Sequence, residues 1–161
     1  MREDLIEILA FSRSLLLHTS LITNGTLIES RIDDIALYII GVVYVSLDGL
    51  EKTHDEVRGA SGCFKKATLG ITAAARKVPV TINTTIMAEN LHEIEGMVKL
   101  AKELDVRISV AIAHEYCNAK ASAPASIEIM EIAGKLVAIK KKRYPLVNSI
   151  NYFKVMAKEK N

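Results

Sequence analysis

The sequence predicts an α/β fold with about four parallel strands and flanking helices, on three observations. Apolar runs rich in β-branched residues alternate with stretches of helical periodicity. The order is one helix and then four strand–helix units, and such strict alternation favours a parallel sheet with right-handed crossovers. That sheet is either open and doubly wound or part of a barrel. Finally, 161 residues, 50% of them hydrophobic and 25% charged, suffice for one domain with a real core and not comfortably for two.

The first helix is expected from Glu3 to Leu17, with Leu5, Ile8, Leu9, Leu15 and Leu16 on one stripe and Glu3 and Asp4 in the first turn, where the dipole favours them. Thr19 to Thr23 is a short β-type run stopped by Asn24-Gly25. A second helix over about Ser30 to Tyr38 leads into Ile40 to Val45, an unbroken apolar run of the kind found in strands buried on both faces. Asp48 to Gly62 is rich in turn formers. A helix of about Phe64 to Arg76 follows, and Val78 to Met87 is the third strand. Asn90 with Glu93 makes a capping box for a helix that buries Leu91, Ile94, Met97, Ala101 and Leu104. Val106 to Ala113 is the fourth strand. Ser126 caps a long helix to Lys142, and the tail adds a short helix from Ile150.

A net charge of +2 gives no reason to expect nucleic acid or an anionic membrane as a partner. The densest basic run, Lys140 to Arg143, closes a helix, where cations suit the macrodipole. No apolar run approaches the ~20 residues that span a bilayer, and the polar start Arg2-Glu3-Asp4 is not that of a signal peptide. Cys63 and Cys117 are far apart and not at zinc-ligand spacing. Together these features place the chain in a reducing cytoplasm, where a structural disulfide is not expected.

In parallel α/β folds ligands sit at the C-terminal ends of the strands. The first strand ends in Thr23-Asn24, the second in Ser46 and Asp48, the third holds Thr81, Asn83 and Thr85, and the fourth runs into His114. Period-two geometry puts Ser46 and Asp48 on one face, and Thr81, Asn83 and Thr85 on another. A polar lining of this kind suggests a lumen wide enough for a ligand. Plainer readings stand beside it. Asn24-Gly25 and Asp48-Gly49 also suit simple turns, and Ser46 a satisfied core hydroxyl. Arg58 has Asp55 and Glu56 within pairing distance in sequence, and His18, His54 and His92 read as surface or capping residues. Cys63, at a helix start after Gly62, reads as a buried inert thiol.

In order along the chain, Ile22-Thr23-Asn24-Gly25, Ser46-Leu47-Asp48-Gly49 followed by His54-Asp55, Arg58-Gly59, Gly62 and Phe64, then Asn90 with Glu93 and Ile94, resemble the radical SAM superfamily. Lys140 to Tyr152, with Tyr144-Pro145-Leu146-Val147-Asn148-Ser149, is similar to the segment before a cysteine-rich auxiliary-cluster domain in some members. The resemblance implies a partial (β/α)6 TIM-like barrel, with residues 1–161 an incomplete domain holding strands three to six and the helices after them. It implies S-adenosylmethionine and a [4Fe-4S] cluster as cofactors, and a 5′-deoxyadenosyl radical as the species that attacks a small-molecule or peptide substrate of the full-length protein. By resemblance Ser46 and Arg58 hold the methionine carboxylate and Asn83 reaches the ribose. Asp48, Thr23 and Asn24 stand behind them or on the substrate side. A hydroxyl and a guanidinium make chemical sense as a carboxylate grip.

The chain departs from the family at the metal. No CxxxCxxC spacing occurs, nor the Gly-Gly-Glu segment that holds the methionine amine. The resemblance therefore implies a radical SAM oxidoreductase fragment, inactive alone, whose first strand has an unpaired edge open to self-association. Two other readings remain: a non-catalytic binding or interaction module on a degenerate α/β barrel, and a doubly wound enzyme using Asp48, Asn83 and His114.

Overall fold

The computed structural model describes residues 2–113 and 123–158. His114 and Cys117 lie outside the described residues. Four parallel strands, β1 (Leu21–Thr23), β2 (Val43–Ser46), β3 (Val80–Ile86) and β4 (Arg107–Ile112), lie side by side in chain order. A doubly wound sheet reverses its strand order at a switch point. The consecutive order found here is that of a barrel sector.

The two faces of the sheet differ in kind. On one, Val43, Val45, Ile82, Ile108 and Val110 are buried, in a core shared with the helices. On the other lie Ile22, 70% exposed, and the half-buried Tyr44, Ser46, Asn83, Thr85 and Ser109. β2 is thus buried on alternate residues rather than on both faces, and it starts at Val43, three residues later than the apolar run suggests.

The helices are α1 (Leu5–Ser14), α2 (Ile32–Tyr38), α3 (Glu51–Arg58), α4 (Cys63–Ala75), α5 (Ile94–Glu103), α6 (Ser126–Lys141) and α7 (Ile150–Met156). α1 stops short of the expected Leu17. Leu16 takes φ 56°, Leu16 N–H donates to Arg13 and Leu17 N–H to Ser12, which is a Schellman ending with leucine where glycine is usual. Only Leu5 and Leu9 of the expected stripe are buried. The turn-rich segment holds a full helix, α3, closed by Gly59 at φ 65°. Its sequence, EKTHDEVR, has one apolar residue, Val57, and that is exposed. The helix buries His54 instead, so no hydrophobic period marks it.

α4 lies against the loop after β1 with its small residues, Ala67, Gly70 and Ala74, buried beside Ile71. Gly25 takes φ +81°, and a Cβ there would stand 2.6 Å from Val45 Cγ1; one on Gly70 would stand 2.5 Å from the Gly25 carbonyl oxygen. Both glycines are required by this close approach. The Asn90–Glu93 capping box does not form: Leu91–Glu93 is a single 3-10 turn, and neither side chain caps it or α5. Ser126 is the first residue of α6 rather than its cap, and Glu128 accepts the Ala125 N–H. Beyond β4, Leu146 makes a parallel bridge to Ile108, and the Asn148 side-chain amide both accepts from Val110 N–H and donates to its carbonyl. A side chain there continues the ladder that the backbone begins.

Candidate functional site

The C-terminal ends of β2 and β3 form the most densely bonded polar region described. Ser46 and Asn83 are register partners, and Asn83 pairs in turn with Ser109, so three polar residues make one row across β2, β3 and β4. The two polar faces expected from the sequence are thus one face, since Tyr44 pairs with Thr81 in the same way.

Thr23 is the partner of Val45, on the opposite, helix-covered face, and its Oγ1 accepts the Gly25 N–H at 3.2 Å. Asn24 Oδ1 accepts from Thr26 N–H and from the Thr26 hydroxyl, a local turn. Thr23, Ser46 and Asn83 thus share one end of the sheet, with Asp48 and its partner Arg58 just past β2, but Thr23 lies on the helix-covered face and Asn24 is spent in the turn after β1.

Arg58 pairs with neither Asp55 nor Glu56. Its Nη2 donates to Asp48 Oδ2 at 2.5 Å, across side chains that are 34% and 10% exposed. Asp48 is held on every side. Its Oδ1 accepts from Thr85 N–H at 3.1 Å, its own N–H donates to His54 Nδ1 at 3.1 Å, and its carbonyl accepts from Asn90 Nδ2 at 2.8 Å. Asn90 is fully buried and uses its whole amide, donating also to the Thr85 carbonyl and accepting from Met87 N–H.

Glu93 joins the same region: its carboxylate accepts from Leu50 N–H at 2.8 Å and from the Thr53 hydroxyl at 2.9 Å, tying the start of α3 to the turn before α5. Asp55 joins α3 to α4 by accepting from Gly62 and Phe64 N–H groups at 2.5 and 2.9 Å.

His54 is a buried acceptor, not a surface residue. Burial, and then the nearby Arg58 guanidinium, hold its imidazole below the usual histidine range, against a smaller pull from Asp48 and Asp55. The backbone N–H bonds from Phe64 and Gly62 hold the Asp55 carboxyl below its ordinary range. Sequence reasoning missed the roles of His54, Asn90 and Glu93. The one signal for α3 was the spacing of His54 and Arg58, four apart on one helix face.

A cation with spare N–H donors near the strand ends of a parallel sheet is a group that can grip an anion. Arg58 has five N–H groups and spends one on Asp48; the rest have no acceptor among the described residues. The metal side is different. Among the described residues no group of three His, Cys, Asp or Glu could hold a metal ion, and Cys63 stands as a free thiol. The residues present fit a carboxylate ligand and do not fit an iron–sulfur cluster.

Fold and strand-end chemistry together define a barrel-type α/β protein with a polar face at the strand C-termini. The chain belongs to the radical SAM superfamily, whose family model matches residues 1–101. It is 39% identical over 107 residues to the AdoMet-dependent heme synthase of Methanosarcina barkeri (strain Fusaro / DSM 804), covering 64% of this chain and 30% of that protein. It is 30% identical over 158 residues to the PqqA peptide cyclase of Rhizobium meliloti (strain 1021), covering 94% of this chain and 42% of the relative. Among solved structures, anSMEcpe with bound AdoMet superposes with a TM-score of 0.68 at 20% identity, over 89% of this chain and 44% of that one. At that identity the likeness is one of fold. The chain spans less than half the length of these relatives.

Proposed function

We propose that this chain is the sector of a radical SAM oxidoreductase that grips S-adenosylmethionine by its amino-acid end. Ser46 and Arg58 hold the methionine carboxylate, Asn83 approaches the ribose, and Asp48 holds Arg58 in place. The observation that supports the reading is the Ser46–Asn83 row at the end of β2, with Ser46 two residues before Asp48, which pairs with Arg58. Asp48 follows the last residue of β2 by two positions, so the guanidinium it anchors stands just past the strand end that carries Ser46.

A [4Fe-4S] cluster, where the full-length protein holds one, would supply the reducing electron for cleavage of S-adenosylmethionine. With two cysteines and no CxxxCxxC spacing, the residues of this chain bind and orient, and the chain alone is catalytically silent. The substrate is a small molecule or a peptide. The heme synthase and peptide cyclase names of its relatives support both classes. The reading places the protein in the cytoplasm, and no described helix is long and apolar enough to cross a membrane.

A non-catalytic binding module is the second reading, favoured by the lack of a metal-ligand group among the described residues and by the edge position of β1, whose Ile22 is exposed beside an edge open to a second copy. Iron–sulfur reconstitution of the purified chain followed by desalting tests the proposal. No visible-region cluster absorbance is expected; a cluster that stays bound would contradict it.

A further inference from the structure

We infer that His54 and Asn90 are positioning residues, which clamp Asp48 so that its carboxylate aims the Arg58 guanidinium at a ligand carboxylate beside Ser46; this rests on the carboxylate grip proposed above. The clamp acts on the Asp48 backbone from two separate elements. His54, on α3, accepts the Asp48 N–H, and Asn90, in the turn after β3, donates to the Asp48 carbonyl. The Thr85 N–H then takes Oδ1, which leaves Oδ2 to face Arg58.

Each clamp is itself fixed. His54 is almost wholly buried and lies edge-on to Phe64, and Asn90 has no unused amide atom. A buried amide that spends all its bonds on three backbone groups fixes backbone geometry rather than touching a ligand. Arg58, a third exposed, keeps donors to spare toward solvent. Neither His54 nor Asn90 reaches the ligand in this arrangement. They act through Asp48.

The test is an NMR titration of the full chain with S-adenosylmethionine and with 5′-deoxy-5′-methylthioadenosine, which keeps the adenosine and the 5′ sulfur but lacks the sulfonium charge and the amino-acid end that carries the carboxylate. Wild type is expected to prefer S-adenosylmethionine. His54→Leu, which keeps the site filled but cannot accept the Asp48 N–H, is expected to cut that preference about tenfold, with methylthioadenosine affinity unchanged. His54→Asn, which keeps an acceptor near the Nδ1 position, should restore it. Asn90→Ala should act like His54→Leu if it folds. The Arg58 Nη proton signals give a reading independent of any ligand: slowly rotating in wild type, averaged in His54→Leu. A preference that survives in His54→Leu, an equal loss for both ligands, or unchanged Arg58 signals would each overturn the positioning role. A wild type that binds neither ligand, or shows no preference between them, would overturn the carboxylate grip itself, and with it the aiming of Arg58 at a ligand.

Discussion

Arg58 meets Asp48 through one charge-assisted bond of 2.5 Å, and Asp48 is in turn bonded to α3, to β3 and to the turn before α5. The ion pair is therefore the outer end of a buried network, not a surface contact between two mobile side chains. Its two ends should respond differently to substitution. Asp48→Ala leaves the Thr85 N–H and Arg58 without their acceptor and is expected to cost about 2–4 kcal/mol of unfolding free energy. Asp48→Asn keeps an oxygen for Thr85 and should cost about 1–2 kcal/mol. Urea unfolding of the two variants measures the difference; equal losses would mean that the Thr85 bond contributes nothing.

Stability should depend on His54 in mild acid. Burial and Arg58 depress its folded-state pKa, so between that value and the unfolded value of about 6.5 the unfolded chain binds more protons than the folded one. Stability then falls as pH is lowered from about 6.5 toward the folded-state pKa, and levels below it. Protonation also takes away the lone pair that accepts the Asp48 N–H. Urea midpoints across this range should slope in wild type and flatten in His54→Leu.

At lower pH the sensitive group is Asp55. Its folded-state pKa is depressed by the Phe64 and Gly62 N–H groups. Its contribution is present above the unfolded value of about 3.9 and is lost as pH falls through the folded one. Asp55→Asn should remove this part of the acid dependence. Amide exchange at Gly62 and Phe64 should also speed up, because a neutral amide oxygen is a weaker cap for the start of α4.

Much of the architecture was legible in the sequence, and the reasons are specific. β3 and β4 carry long β-branched runs, and α5 has a clean apolar stripe through Ile94, Met97 and Ala101, so pattern alone located them. α3 was hidden because it buries a histidine and no aliphatic residue. The end of α1 was hidden because a leucine occupies the left-handed position where glycine normally signals a stop. Asn90 and Glu93 have the spacing of a capping box, yet both side chains are recruited by the β2–α3 loop, a tertiary competition that local spacing cannot register. Within the site, Ser46 and Asp48 were placed on one face by strand periodicity. That Asn83 shares that face depended on inter-strand register, which only the fold supplies.

Close packing between the β1 loop and α4 yields a further expectation. Gly25→Ala introduces a Cβ 2.6 Å from Val45 Cγ1 at a left-handed backbone position. A loss of about 2–4 kcal/mol is expected, read as a lowered urea midpoint. A neutral substitution would mean that the loop relaxes freely away from β2.

The central claim is that this chain grips the carboxylate of S-adenosylmethionine with Ser46 and Arg58. The most direct measurement is a 1H–15N titration of the chain with S-adenosylmethionine, which detects weak binding residue by residue. The account predicts shifts at Ser46, Arg58 and Asn83 that Arg58→Ala weakens at least tenfold, in line with loss of a charged hydrogen bond of about 1.5–3 kcal/mol. Shifts that persist unchanged in Arg58→Ala, or that fall elsewhere on the sheet, would contradict it.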